Sequence, residues 1–276
     1  MNIIELIINN ISTFLALIAT GVFAGILAGL LGVGGGIVIV PVLFLLFQSF
    51  GASPESAMLV ATATSLATIV PTSISSIRSH HQKSNVDFDL LKRWAAFILI
   101  GVLAGSWLVT RVEGTMLTML FGIIASLSAL NMLFKNGKSA LYQQLPHTAG
   151  QTAMGMSIGF FSSMIGIGGG TIAVPLLTLY NYNAHKAVGT AAAIGLIISL
   201  PGALTMLAFG STPADAPAGT FGLVNVIAFI CIVPLTVLFA PLGASLAAIL
   251  DTVKLKKIFA LVLLFTGLRM LVQLFL

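Results

Sequence analysis

The sequence predicts an all-α polytopic membrane protein, with about ten hydrophobic segments arranged as two inverted repeats of five. Three observations carry that expectation. Apolar residues make up 58% of the 276-residue chain, charged residues only 7%, and the mean hydropathy is +1.12, whereas a soluble domain is about 25% charged. The charges fall into a few short stretches, so most of the chain consists of runs approaching the ~20 apolar residues that a helix needs to cross a bilayer. Finally, the stretch Gly25–Pro41, GILAGLLGVGGGIVIVP, returns as Gly159–Pro175, GFFSSMIGIGGGTIAVP, with the Gly-x-Gly-Gly-Gly turn and the proline at the same spacing.

In chain order, apolar segments are expected at 11–31, 36–50, 55–78, 93–110 and 114–134. A polar linker from Lys135 to Thr148 follows, and then segments at 149–166, 170–182, 186–209, 220–249 and 253–275. The chain thus divides into a first transmembrane repeat, 1–140, and a second, 141–276. Met1–Asn10 has neither a basic n-region nor an Ala-x-Ala-like site, so the first segment is expected to be retained. Segments 36–50 and 170–182 are short for spans at ~1.5 Å rise per residue. Further along, Val60-Ala-Thr-Ala-Thr-Ser-Leu66 lies over Val188-Gly-Thr-Ala-Ala-Ala-Ile194, which pairs Thr62 with Thr190, and Ser128–Leu133 matches Thr266–Leu271.

Lysine and arginine mark cytoplasmic loops. They cluster at Arg78, Lys83, Lys92 and Arg93, at Lys135 with Lys138, and at Lys254–Lys257. An alternating path that begins outside puts Glu5, Glu55 and Asp215 on the opposite face, and both termini with them. Because five is odd, the second repeat enters with reversed orientation, a common construction of secondary transporters. The net charge of +5 is then accounted for by basic loops and calls for no nucleic acid partner. Cys231 is the only cysteine, which excludes a disulfide framework, an iron–sulfur cluster and a Cys-based zinc site.

The glycine turns allow two readings. As surface turns they would join ordinary spans, their small residues serving helix packing. As tips of re-entrant hairpins they would stop near the midplane, where irregular backbone is tolerated only if buried in protein or lining a cavity. The short second arms favour hairpins. A tip there implies a site, because the N-termini opening at residues 36 and 170 offer free N–H groups and positive partial charge to an anion. The candidate anion-binding residues are therefore Gly34, Gly35, Gly36, Gly168, Gly169 and Gly170. Neither turn fits a dinucleotide fingerprint, since the sixth position is Ile37 or Thr171, and no lysine follows as a phosphate-binding loop requires.

Taken together, the paired glycine turns followed by Pro41 and Pro175, Val188-Gly-Thr190, and the closing Leu242-Gly-Ala-Ser-Leu246 and Gly267-Leu-Arg-Met-Leu271 resemble the sulfite exporter TauE/SafE family of membrane permeases. The resemblance covers nearly the whole chain. It implies transport of a small sulfur-containing anion, such as sulfite or an organosulfonate, across the bacterial cytoplasmic (inner) membrane, without a cofactor. One departure leaves the substrate's identity open: the first copy reads Val-Ala-Thr-Ala-Thr-Ser where the family favours Gly-Thr-Ser.

Among the remaining polar residues, Thr62, Thr64, Ser65 and Thr190 lie in apolar helices and can either donate hydroxyls to an oxyanion or back-bond to the preceding turn. Asn131 and Arg269 occupy matching places, with Arg269 expected to snorkel to the interface. His80 and His81 point about 100° apart on a helix and lack a third ligand, so no metal site is expected. His185-Lys186 reads as a solvated helix start ahead of an anion-attracting mouth, the other reading it allows. The acidic residues all sit at segment ends, which leaves no mid-membrane carboxylate to serve as a proton relay. No catalytic residue is expected: a membrane-embedded enzyme would need a buried nucleophile, an acid–base pair or a metal. The alternatives to a carrier of sulfur anions are an anion channel and a carrier of another small anion, carboxylate or sulfate. The partners expected are that anion and the lipid bilayer, with a homo-oligomer left open.

Overall fold

The structure is a computed structural model that describes residues 11–134, 142–247 and 252–274. Among these are ten helices: α1 (Ile11–Leu31), α2 (Gly36–Ser49), α3 (Pro54–Gln82), α4 (Phe88–Val109) and α5 (Gly114–Phe134), followed by α6 (Thr148–Met164), α7 (Gly170–Leu179), α8 (Ala184–Phe209), α9 (Val226–Leu246) and α10 (Thr252–Val272). Before α9 comes a small antiparallel hairpin, β1 (Thr220–Phe221) and β2 (Val224–Asn225). Glu5, Lys135, Lys138, both termini and the expected division at 140/141 lie outside the described residues.

Capping chemistry sets the boundaries. Ser53 is extended and accepts a hydrogen bond from the Ser56 N–H, with Pro54 opening α3, where a missing donor is harmless. Asp87 accepts from the Leu90 N–H, so α4 starts five residues earlier than the expected 93 and takes Asp89, Lys92 and Arg93 into its first turns. Asn183 and Asn225 cap α8 and α9 in the same way. The segment expected to begin at 220 instead spends its first residues in the β-hairpin and becomes helical at Val226.

Among the described residues, five helices are long and apolar enough to cross a membrane, within Phe14–Leu31, Pro54–Gln82, Gly114–Phe134, Ala184–Phe209 and Val226–Leu246. Gly36–Ser49 and Gly170–Leu179 are shorter apolar helices. The surface matches this: Phe23, Leu127, Leu204, Phe209, Ile230, Leu238 and Phe265 are all more than half exposed. On α3, by contrast, Thr62, Thr64, Ser65, Thr68, Thr72, Ser73, Ser76 and His80 are buried. Apolar outside and hydroxylic inside reverses the order of a water-soluble fold and suits a lipid surround.

Helix partners repeat between the halves. α1 packs on α9 as α6 packs on α4; α3 meets α9 as α8 meets α4; α2 lies on α3 as α7 lies on α8. The pairs α3–α8 and α5–α10 join the halves. Lipid tails are as apolar as leucine, so these interfaces depend on close backbone approach at small residues. A Cβ at Gly25 would stand 2.8 Å from the Thr236 Cα. Gly29 faces the Ala240 carbonyl, Gly243 the Ile26 carbonyl and Gly101 the Met156 carbonyl, each so closely that a methyl would collide.

The ends of the bundle differ in charge. At the start of α3, Asp215 accepts from the Ser53 N–H and the Ser56 hydroxyl, and Glu55 accepts from Thr115. At its far end, Lys83 donates to the Ala244 carbonyl at 2.6 Å, and Asn85 lies against Gly189 near Lys186. Gly29→Val is expected to abolish a monodisperse fold in detergent, because the clash is with rigid backbone and overpacking costs ~1–3 kcal/mol or more. Gly155→Ala, whose Cβ would stand 3.2 Å from the Phe97 side chain, should fold, and size-exclusion chromatography compares the two.

Candidate functional site

Each glycine turn reverses the chain through backbone that favours glycine. Gly32, Gly34 and Gly35 have φ of 66°, 71° and 80°, and Gly166 and Gly169 have 71° and 78°, all in the left-handed region. The turn between α6 and α7 sends the chain back the way it came. The two outer ends meet where the Tyr142 N–H donates to the Leu179 carbonyl and Tyr142 stacks on Tyr180.

The two turns touch each other. A Cβ at Gly36 would stand 2.5 Å from the Gly166 carbonyl oxygen, and one at Gly170 would collide with the Gly32 carbonyl oxygen. The contact is reciprocal, since the first residue of each return helix sits on the first glycine of the other turn. Between them, a Cβ at Gly34 would stand 3.6 Å from the Gly168 Cα, and one at Gly168 would stand 3.2 Å from the Val33 carbonyl oxygen. α3 and α8 form the walls. Ile69 covers Gly34 and Gly168, Gly32 rests on the Val188 carbonyl, and Gly166 rests on the backbone of Thr62. The Ser65 hydroxyl donates to the Gly166 carbonyl at 2.7 Å.

Among the described residues, the backbone N–H groups of Val33, Gly34, Gly35, Gly36 and Ile37 make no hydrogen bond, nor do those of Gly168, Gly170 and Thr171. Buried donors of this kind are rare in folded proteins. Several side chains share the condition: the hydroxyls of Thr62, Ser73, Thr171 and Ser199 are buried without partners. Ser73 is the best placed. Its Oγ would lie 3.0 Å from a Cβ at Gly195, which itself would stand 2.8 Å from the Gly168 carbonyl oxygen.

Of the hydroxylic residues singled out from sequence, Thr62 meets the second turn through its backbone and Ser65 through its hydroxyl, while Thr64 and Thr190 are engaged elsewhere. Thr64 accepts from the Asn225 N–H at 2.8 Å, and Thr190 accepts from the Asp87 N–H at 3.0 Å. These matching duties, each on the cap residue of a neighbouring helix, correct the repeat register. Thr190 corresponds to Thr64 rather than Thr62, Val188 to Thr62, and Ser199 to Ser73. A comparison of short strings could not see the two-residue slip, because Thr62 and Thr64 present the same residue type.

The match to known proteins follows the same span as the fold. A model of the family described as "Sulfite exporter TauE/SafE" matches residues 17–270. The chain belongs to the TauE/SafE family. It is 31% identical over 259 residues to a "Probable membrane transporter protein" of Haemophilus influenzae, covering 94% of this chain and 98% of the relative. It is 29% identical over 198 residues to one of Methanocaldococcus jannaschii, covering 69% and 71%, and 25% identical over 283 residues to the "Probable membrane transporter protein YunE" of Bacillus subtilis, covering 95% and 98%. No solved structure matches the chain. The relatives' names place this TauE/SafE protein among membrane transporters rather than enzymes.

One ionisable cluster borders the site of this TauE/SafE chain. Tyr182, just after α7, donates its hydroxyl to Asp87 Oδ2, so the end of the second hairpin is fastened to the α3–α4 loop. Burial works to raise the Asp87 carboxyl, but hydrogen bonds from Tyr182 and the Leu90 and Asp89 backbone outweigh it and hold the group below its ordinary 3.8. Burial, together with the bond to Asp87, pushes the Tyr182 phenol upward. A depressed carboxyl stabilises the fold above its unfolded value, and the contribution is lost as pH falls through the folded one. Thermal stability of the wild type is therefore expected to drop as pH falls below about 4, and Asp87→Asn should flatten that part of the profile; differential scanning fluorimetry across the range checks it.

Proposed function

We propose that the protein is a secondary carrier that moves a small sulfur oxyanion or organosulfonate across the bacterial inner membrane by alternating access. The substrate is held between the two glycine turns. The observation that carries this reading is the concentration of unpaired backbone N–H groups at 33–37 and at 168, 170 and 171, beside the unpartnered hydroxyls of Thr62, Ser73 and Thr171. Such a set offers donors, positive partial charge from two helix N-termini and no fixed cation. A small anion is the ligand that needs all three, and release remains easy because no full charge holds it.

In this reading Gly34, Gly35, Gly36, Gly168 and Gly170 supply backbone donors, Gly169, whose own N–H is bonded to the Ile167 carbonyl, supplies the left-handed bend that presents them, and Thr62 and Ser65 supply side-chain polarity. Thr64 and Thr190 act as posts that fix the walls through Asn225 and Asp87. Residues 1–140 and 141–276 form the two repeats, inverted in the membrane. The conserved exchange of helix partners between halves supports that arrangement, as does the separation of Glu55 and Asp215 from Lys83. The α1–α2 and α6–α7 hairpins enter from opposite faces, and both termini lie outside the cytoplasm. Rocking of one half against the other about the crossed turns would open the site to each face in turn.

The test is flux into liposomes carrying purified protein, assayed with sulfite, thiosulfate, sulfoacetate, taurine and sulfate, alongside Ser73→Ala, Thr62→Val and Thr171→Val. Loss of one hydrogen bond to a charged ligand costs ~1.5–3 kcal/mol, so affinity should fall roughly ten- to hundredfold. Substrate-free stability should not fall, because no bond within the protein is removed. Saturable flux of a sulfur anion with weakened variants is the expected result. Wild-type affinity in all three variants would move the site away from the turns, and unsaturable single-channel current would make the protein a channel.

A further inference from the structure

We infer that His80 is a proton-binding site through which anion movement is coupled to a proton, an inference that rests on the anion site proposed at the glycine turns. His80 lies near the end of α3 and is 2% exposed. Its Nε2 is 2.7 Å from the Gly29 carbonyl oxygen. A carbonyl can only accept, so Nε2 carries the hydrogen. In the neutral ring Nδ1 is then a bare lone pair, and it is buried without a partner. That lone pair is free to take a proton, which would make Nδ1 a cationic donor as well.

The surroundings act on this group in both directions. The α1 side presents no charged group, only the carbonyls of its last turn: Gly29 to His80, and Ala28 to the Ser76 hydroxyl at 3.4 Å. The carbonyl end of a helix favours a cation. Against this stand first the burial of the ring, and then Lys83, at the end of the same helix, and His185, in the first turn of α8, all of which oppose a positive charge there. From α9, the Ala244 carbonyl and Ser245 hydroxyl face the Lys83 ammonium and accept from it. His81, next along α3, is exposed and packs edge-on against Phe88.

The missing weight in that balance is a negative charge, and the proposed anion site supplies it. Gly29 lies three residues before Gly32, where the first turn begins, so the ring is fastened to the strut that carries the turn. Arrival of an anion favours the protonated ring: Nδ1 takes one proton from the aqueous phase, both nitrogens become donors, and the charge of a monoanion is cancelled. Departure of the anion on the other face returns the proton there. Among the described residues no carboxylate is buried in a helix interior, so the histidine fills the place of the absent acidic relay.

The experiment is calorimetric titration of the purified carrier with sulfite at neutral pH, in buffers of different ionisation enthalpy, which counts protons taken up per anion bound. Sulfite itself exchanges a proton near neutral pH, so the difference between the two proteins is what reports on the ring: wild type is expected to take up close to one proton more than His80→Gln, which keeps an amide N–H for the Gly29 carbonyl but cannot be protonated. Equal uptake by the two proteins overturns the proposal and leaves the anion site standing. Absence of binding of sulfite and of the other sulfur anions overturns both. Should His80→Gln fail to fold, nitrogen NMR of histidine-labelled wild type decides: addition of sulfite should convert the Nδ1 signal of the ring with a protected Nε2–H from acceptor to protonated. An unchanged signal with sulfite bound overturns the proposal.

Discussion

Everything else in this fold depends on one contact, backbone against backbone, where the two glycine turns cross. Gly36 rests on the Gly166 carbonyl and Gly170 on the Gly32 carbonyl, and no residue with a Cβ fits at either place. The left-handed conformations at Gly32, Gly35, Gly166 and Gly169 are what let each chain reverse tightly enough to bring its helix start to the other. α2 and α7, both short apolar helices, open at this contact.

The crossing also explains the inverted polarity of the molecule. Tips buried in protein leave backbone donors to be satisfied, and α3 brings its row of buried hydroxyls to that level. Ser65 closes one carbonyl, while Thr62 and Ser73 remain open. Full charges are kept at the ends of the helices, where Asp215, Glu55, Lys83 and Asp87 fasten loops to caps. Dipoles at the centre and ions at the rim suit the proposed carrier, which would bind an anion and release it again. A fixed cation at the crossing would hold the same anion more tightly and slow its exit.

Much of this was legible in the sequence because it is written in residue types with narrow uses. Membrane character followed from composition, and the glycine spacing with Pro41 and Pro175 marked the two turns and the short arms that follow them. Family membership followed from the same motifs. The early start of α4 was hidden because Asp89, Lys92 and Arg93 look like loop residues until Asp87 is recognised as a cap. The β-hairpin at 220–225 was hidden because an apolar run cannot distinguish strand from helix over so few residues. The repeat register slipped because two threonines two places apart are equivalent to the eye and differ only in the N–H each receives. Ser73, Ser199 and Thr171 were missed for a related reason: an unpartnered hydroxyl is a property of its neighbours, which no linear pattern records. His80 looked like part of a basic loop, and only its bond to Gly29 places it inside.

The crossing itself can be measured most directly by solid-state carbon NMR of the protein in lipid bilayers, with glycine labelled and the turns assigned. Cross-peaks joining Gly36 to Gly166 and Gly32 to Gly170, together with no transfer from lipid headgroups to any of the four, are the result expected of two tips that meet inside the protein. Turns that each show headgroup contact and no peak between them would contradict it, and would make the glycines surface turns on opposite faces of the membrane.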